Sequence, residues 1–365
     1  MGQNWEIFNV DRRERRIGSG GKLSEFFFDN MPSLYEALRI PCLPKAVDKW
    51  LSRGTFVMQP GPVGKLSTEV LDMVFEAILD NATPHPTDNF LNCIFLAVGC
   101  KRLLVVCKRH ILRALISRHA RAADCRLVCL GSSAYGAHQA PPGMLTDAEL
   151  QEIATKSIPG EDEYYGSAEK AMEARRLYSF ACECYKPYRE VQQSLFDPLR
   201  ERAREFGRIR REKGETIDPL YALELDMITA LGAVDSFRPK PEYPYPAEGP
   251  NVLCNMSKGE YVREDVLLAC ETGFKWERIA LVNALLSQIC YSPDGGAAVG
   301  CEDKDDEERL VRGPWAGDRF RITSAAEMPL LKLKGGKEWK DVTEELAMLL
   351  SAVHTPIMPY LMLGT

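Results

Sequence analysis

The sequence predicts an α+β protein in which a block of helices is set into a mixed α/β scaffold, and three observations carry that expectation. Residues 65–81, KLSTEVLDMVFEAILDN, and 90–115, FLNCIFLAVGCKRLLVVCKRHILRAL, have the dense apolar periodicity of helices. Elsewhere, short aromatic and β-branched runs such as NWEIFNV and RLVCLG read as strands bounded by turns. Two pairs of distant segments also echo each other. NWEIFNVDRRE (4–14) aligns with NVLCNMSKGEY (251–261), matching Asn9 to Asn255, Arg12 to Lys258 and Glu14 to Glu260. In the same order AADCRLVCLG (122–131) aligns with WAGDRFRITS (315–324), matching Ala123 to Ala316, Arg126 to Arg319 and Leu127 to Phe320. The echo implies two copies of one small α/β unit, the first interrupted by the helical block.

A chain of 365 residues accommodates two or three domains, and 45% hydrophobic with 27% charged residues is ordinary for a soluble globular protein. The formal charge of −6 gives no general attraction to nucleic acid or to anionic membranes. No apolar run approaches the roughly 20 residues that span a bilayer, and MGQNWEIFNVDRRERR lacks the apolar centre of a signal peptide. Glu6 stands where a myristoylation signal wants Ser or Thr. The expectation is an intracellular chain, in cytoplasm or nucleus, with neither nucleic acid nor membrane as partner. The twelve cysteines include no CxxC pair. Cys93, Cys100 and Cys107, spaced by seven, are expected on one helical face as small buried hydrophobes, and no second pair completes a zinc set around Cys182 and Cys184. Reduced thiols, no metal and no cofactor are expected.

Along the chain, residues 1–60 form an N-terminal α/β segment with the strand NWEIFNV, the turn-rich RRIGSGGK, and the helices SEFFFDN and MPSLYEALRI. The breaker cluster MQPGPVGK opens a helical module at 61–120, interrupted by the loop DNATPHPTDN. Residues 121–150 supply a strand and a loop that complete the first unit, and Thr146 with Glu149 offers a capping box for the helix that follows. A charged helical region covers 151–236, including the locally basic FDPLRERAREFGRIRREKG, which reads as a solvated helix face. The Pro-rich FRPKPEYPYPAEGP (237–250) reads as a linker, 251–353 as the second α/β unit, and 354–365 as a tail.

Catalytic motifs are sought and do not complete themselves. GSGGK (18–22) has Arg16 and Leu23 where a P-loop needs Gly and Ser or Thr, and Leu23 also occupies the third glycine position of a dinucleotide fingerprint. GSSAYG (131–136) has Tyr135 where a nucleophile elbow needs Gly. CEDKDDEERL (301–310) lacks the mid-loop Gly of a calcium loop and reads as an exposed acidic loop. In WAGDRF, Trp315, Asp318 and Arg319 form a candidate recognition surface. The other reading is a buried Trp at a turn, with Asp318 and Arg319 paired to each other.

The helix in 65–81 has apolar surface to spare. Ser67 suits its N-cap, and Glu69 lies in the first turn, where the helix dipole favours a carboxylate. Val70, Leu71, Val74, Phe75, Ile78 and Leu79 recur in adjacent pairs, and Leu66 and Met73 widen the band beyond the ~100° stripe of a one-sided helix. LSTEVLDMVFEAIL followed by FLAVGCKRLLVVCKRHI resembles an F-box, the helical module that docks onto the Skp adaptor of cullin-based ubiquitin ligases. Leu66, Glu69, Val70, Leu71, Val74 and Phe75 match the first block of the family pattern, and Cys100-Lys101-Arg102 match the second. Ser67 replaces the usual Pro and Leu103 a common aromatic residue, which removes a rigid first-turn residue and a large anchor. NWEIFNVDRRE, YVREDVLLAC and GPWAGDRFRITS are similar to segments of uncharacterised fungal proteins that often carry an F-box at this place.

The resemblance implies a non-catalytic substrate receptor that holds a Skp adaptor, and through it a cullin, while presenting an unidentified protein target. Leu66, Val70, Leu71, Val74 and Phe75 would divide between adaptor contact and module core, with Lys101 and Arg102 at the rim. Two other readings stand beside it. The chain is a structural or interaction protein that never meets the adaptor, or an enzyme using GSGGK or the WAGDR region for a nucleotide or another small phosphorylated ligand.

Overall fold

In chain order the elements are β1 (Trp5–Asn9), β2 (Glu14–Arg15), α1 (Pro32–Leu38), α2 (Lys45–Ser52), α3 (Pro62–Lys65), α4 (Thr68–Asp80), α5 (Pro86–Val98), α6 (Lys101–His119), β3 (Leu127–Gly131), α7 (Asp147–Thr155), α8 (Leu177–Cys184) and β4 (Lys186–Pro187). They continue with α9 (Asp197–Glu212), α10 (Pro219–Val234), β5 (Asn251–Asn255), β6 (Glu260–Arg263), α11 (Glu264–Ala269), α12 (Leu281–Ile289), β7 (Cys290–Tyr291), β8 (Gly300–Cys301), α13 (Lys304–Val311), β9 (Phe320–Ser324), β10 (Lys340–Asp341), α14 (Thr343–Ser351) and β11 (Val353–His354). The structure, a computed structural model, describes residues 3–15, 17, 20–23, 31–53, 61–80, 86–132, 140–156, 177–189, 196–214, 219–234, 249–270, 279–292, 300–301, 303–329 and 338–354. The segment SEFFFDN, most of the Pro-rich stretch, the centre of GSSAYG and the tail beyond 354 lie outside the described residues.

The architecture is α+β and divides into two units. One comprises Met1–Arg39, Ala122–Arg189 and Glu248–Thr365; the other comprises Ile40–Arg121 and Glu190–Ala247. The charged region expected at 151–236 is therefore split between them, and the helical unit is larger than the stretch 61–120.

In the first unit, two sheets are built alike. One has the order β4-β2-β1-β3-β7 and the other β10-β6-β5-β9. β1 pairs antiparallel with β3 from Trp5↔Gly131 to Asn9↔Leu127, and β5 pairs with β9 from Asn251↔Ser324 to Asn255↔Phe320. β2 takes β4 in parallel at Glu14↔Lys186, and β6 takes β10 in parallel at Glu260↔Lys340. The hairpin turns match as well. The Asn9 side chain accepts the Arg12 N–H at 3.1 Å and that of Asn255 accepts the Lys258 N–H at 3.1 Å, while Arg13 and Gly259 both adopt positive φ. These pairings follow the sequence echo residue for residue.

Each sheet is then bordered by a segment from the opposite half, a strand in the first and a single bridge in the second. Cys290, immediately after α12, pairs in parallel with Cys129 of β3, whereas Arg39, immediately after α1, bridges in parallel to Ile322 of β9. Between the halves, Arg126 and Arg319 form an antiparallel bridge; Gly317 N–H donates to Leu127 O at 2.8 Å and Asp124 N–H to Phe320 O at 2.7 Å. Asp11 holds this junction, accepting from Arg126 Nε at 2.7 Å and from Arg319 at 2.6 Å. Burial pushes the Asp11 carboxyl up, but the hydrogen bonds and charge of Arg126, with Arg319 beyond, hold it below its ordinary value.

Side-chain alternation explains the burial of both faces of β1. Trp5 and Ile7 join Leu127, Leu253 and Phe320 in one core, while Phe8 and Val10 join Val128, Phe180 and Tyr185 in another. The expected capping box is present, with Thr146 and Glu149 exchanging hydrogen bonds at the start of α7. Residues 304–310 of the acidic stretch, by contrast, lie in helix α13 rather than in a loop. Asp303 accepts from the Asp305 N–H at 2.9 Å as N-cap, the carboxylates of Asp305, Asp306 and Glu307 lie in the first turn where the dipole favours them, and Leu310 and Val311 are buried.

The helical unit packs α4, α5 and α6 together with α2, α9 and α10; its core includes Val47, Leu71, Phe75, Phe90, Leu104, Ile111, Phe196 and Met227. The supply of Val47 and Met227 from outside 61–120 relieves the shortage of core that three short helices have by themselves. The cysteines spaced by seven are not on one helical face. Gly99 and Cys100 break the run, Cys100 preceding α6 with φ −162°, so Cys93 lies on α5 and Cys107 on α6.

Two measurements check the junction. Gly317 has φ +86°, and a Cβ there would meet Met144 Cγ at 2.5 Å, so Gly317→Ala is expected to lower stability by about 2–3 kcal/mol in urea titration. Hydrogen bonding to Arg126, ahead of the capping contacts with Thr146, holds Glu149 down at about 2. A carboxyl depressed on folding stabilises above its unfolded value and loses that contribution as pH falls through its folded value. Glu149→Gln is therefore expected to cost about 1 kcal/mol at pH 7, a deficit that closes between roughly pH 4.5 and 2.

Candidate protein-docking surface

Helix α4 begins where the sequence says it should. Ser67 Oγ accepts the Val70 N–H at 3.4 Å, and the hydroxyl also lowers the Glu69 carboxyl from its ordinary value. One face then closes the unit's core through buried Leu71 and Phe75, with Leu66, Ile78 and Leu79 packed partly against them. The opposite face stays open: Val70 is 41% exposed, Met73 67% and Val74 36%, and Ala77 is exposed as well. The spacing i, i+3, i+4, i+7 makes these four one stripe along the helix. Val63, Phe95 and Val105 are further exposed apolar residues of the same unit.

Between the two apolar faces, carboxylates pin α4 to α6. Asp72 pairs with Arg109 and accepts from His110 Nε2 at 2.6 Å, and Glu76 faces Arg113 at 3.6 Å. Pairing Asp72 and Glu76 with residues at the same spacing on α6 sets the two helices running in one direction. His110 is fully buried beside the Phe75 ring at 5.8 Å. Burial first, then the charges of Arg109 and Arg113, lower its pKa, so the imidazole is neutral at pH 7 and donates through Nε2.

The residues carried over from the family pattern thus separate by role. Val70 and Val74 point outward, Leu71 and Phe75 are interior, and Leu66 is half-buried at the base of α4. Lys101 donates to Leu51 O at 3.2 Å and lies over the Trp50 ring, while Arg102 donates to Gly64 O at 2.5 Å and to Leu66 O. Both cations therefore satisfy carbonyls at helix ends within the unit. Leu103, where the family favours an aromatic residue, is buried. Met73, the most exposed of the stripe, lies outside the matched pattern; its i+3 spacing from Val70 is the signal that marks it.

The three residues of the WAGDR segment stand apart from this stripe. Trp315 is 2% exposed, packs on Phe320 and donates Nε1–H to Glu260 at 2.6 Å, so it offers no surface. Asp318 and Arg319 are not paired with each other: Asp318 accepts from Asn255 at 2.9 Å and faces Lys258 at 3.5 Å, whereas Arg319 bonds Asp11 and the carbonyl of Asp124. Burial raises the Asp318 carboxyl above its ordinary value despite those partners. In the GSGGK region, Gly21 bridges to Trp5 of β1 and Lys22 donates to Asn4 at 3.1 Å. Among the described residues no group of three His, Cys, Asp or Glu side chains could hold a metal ion, and no helix is long and apolar enough to cross a membrane.

Comparison of the chain with protein-family models, curated proteins and solved structures finds no match. The division of α4 into two faces has a direct test. Leu71→Ala and Phe75→Ala are expected to cost about 2–5 kcal/mol each, whereas Met73→Asp on the open face changes stability by no more than about 0.5 kcal/mol, all measured by urea denaturation.

Proposed function

We propose that this chain is the substrate receptor of a cullin-type ubiquitin ligase, with α4 and its neighbours docking onto a Skp adaptor and the α/β unit presenting a protein target. The observation that carries this reading is the open stripe Val70-Met73-Val74-Ala77, which remains after the opposite face of α4 has closed the unit's own core. Apolar residues repeated along one helix face are the form in which helical modules bury themselves against a partner. The F-box-like spacing gives that partner a chemistry: an adaptor with an apolar groove. The receptor is non-catalytic and works by proximity, raising the effective concentration of a target lysine beside activated ubiquitin in the cytoplasm or nucleus.

The matched sheets support reading the α/β unit as an internal duplication. The same antiparallel core, parallel third strand and Asn-capped hairpin recur around β1 and β5. In each copy a segment is inserted after the exchanged edge, Arg39 in the first and Cys290–Tyr291 in the second, and the F-box-like helices occupy that place in the first.

Co-purification of the full chain with a Skp adaptor tests the assignment. Native protein should be retained, and Met73→Asp with Val74→Asp should weaken binding at least tenfold while leaving the thermal unfolding midpoint within a few degrees. A folded native chain with no adaptor affinity would instead favour a structural protein that never enters a ligase.

A further inference from the structure

We propose that Cys93 and Cys107 are a peroxide-sensitive thiol pair that closes into a disulfide and staples α5 to α6. The two residues flank the break at Gly99–Cys100 at equal distances along the chain, so the hairpin returns one onto the other. Their sulfurs lie 3.3 Å apart and both side chains are fully buried. A disulfide needs about 2.05 Å, so closure requires an approach of roughly 1.3 Å, within the reach of small side-chain rotations. The surroundings are apolar, formed by residues such as Ile94, Ala97, Leu104 and Ile111.

The hydrogen bond to Cys93 and burial both push the Cys107 thiol up, which keeps it unreactive in the closed hairpin. Reaction therefore proceeds when the hairpin opens locally, and a small oxidant suits that route. A thiolate attacks hydrogen peroxide, forming S–O and breaking O–O, with loss of water and formation of a sulfenic acid. The second sulfur attacks the first, forming S–S and breaking S–O, with loss of a second water. Two thiols lose two electrons, and one peroxide becomes two waters that carry off both thiol protons. The cross-link encloses a short loop, so its main effect is to restrict the unfolded hairpin.

The test treats the folded full chain with hydrogen peroxide, alkylates remaining thiols in denaturant and maps peptides without reduction. The expected result is a linked Cys93–Cys107 peptide in a monomeric chain. The thermal midpoint of the helical unit should rise by about 5–10 °C, reversed by dithiothreitol and absent in Cys93→Ala with Cys107→Ala. Recovery of both residues alkylated after more exposed thiols have been oxidised would overturn the proposal. So would linkage to a different partner, such as Cys129 joined to Cys290, with Cys93 and Cys107 left free. The mapping of native protein decides the matter even where the double variant does not fold.

Discussion

The α/β unit depends on an exchange of edge segments between its halves. β3 is completed by Cys290 and Tyr291 from after α12, and β9 is bordered by Arg39 from after α1. Neither half can satisfy the backbone on those edges by itself, and an open edge in a buried sheet leaves donors and acceptors without partners. The Arg126–Arg319 bridge lies at the centre of this exchange, and Asp11 compensates the two guanidinium charges that the crossing brings together. Asp124, at φ +59°, and Gly317, at φ +86°, mark equivalent turns before the two strands. At the second, Met144 fills the space that a side chain would need, which glycine leaves to it.

The helical unit solves a different problem, that of closing a small core with short helices. Its answer is to recruit α2, α9 and α10 to one side and to pin α4 to α6 with Asp72 and Glu76. Because Arg109 and Arg113 are largely exposed, those pairs contribute more to register than to stability. Buried Phe75 and Leu71 supply the energy; the charges fix which way round the helices lie. The outer stripe of α4 takes no part in this closure.

Much of this organisation is legible in the residues. The aromatic and β-branched run from Trp5 to Val10 marks a strand, Thr146 with Glu149 announces a helix start, and Asn9 and Asn255, like Arg126 and Arg319, fall at corresponding places in the two sheets. What escaped reading has a common cause, which is dependence on distant partners. The short strands β4, β7 and β10 exist through the ladders they join, and their residues carry no periodicity. The acidic stretch 303–309 hides a helix whose only apolar anchors, Leu310 and Val311, come at its end. Spacing by seven suggests one helical face for Cys93, Cys100 and Cys107, but Gly99 breaks the helix, and Cys93 and Cys107 meet across the α5–α6 hairpin instead. A buried Trp315 is one of the two readings of WAGDR, but the separate partners of Asp318 and Arg319, Asn255 and Asp11, lie too far along the chain to be read.

The exchange of edges also fixes an order of assembly during synthesis. When the ribosome has made β1, β2 and β3, the outer edge of β3 has no partner until Cys290 emerges, and Arg39 waits still longer for Ile322. The helical unit is complete in sequence by about residue 247, before Cys290 and Ile322 have been made, although its α2 waits for α10 over a comparable length of chain. Within it α4, α5 and α6 follow one another directly, and contacts close in sequence form faster than distant ones. The nascent chain therefore carries a finished helical unit while the α/β unit still has an exposed β edge, the species most exposed to self-association and to capture by chaperones.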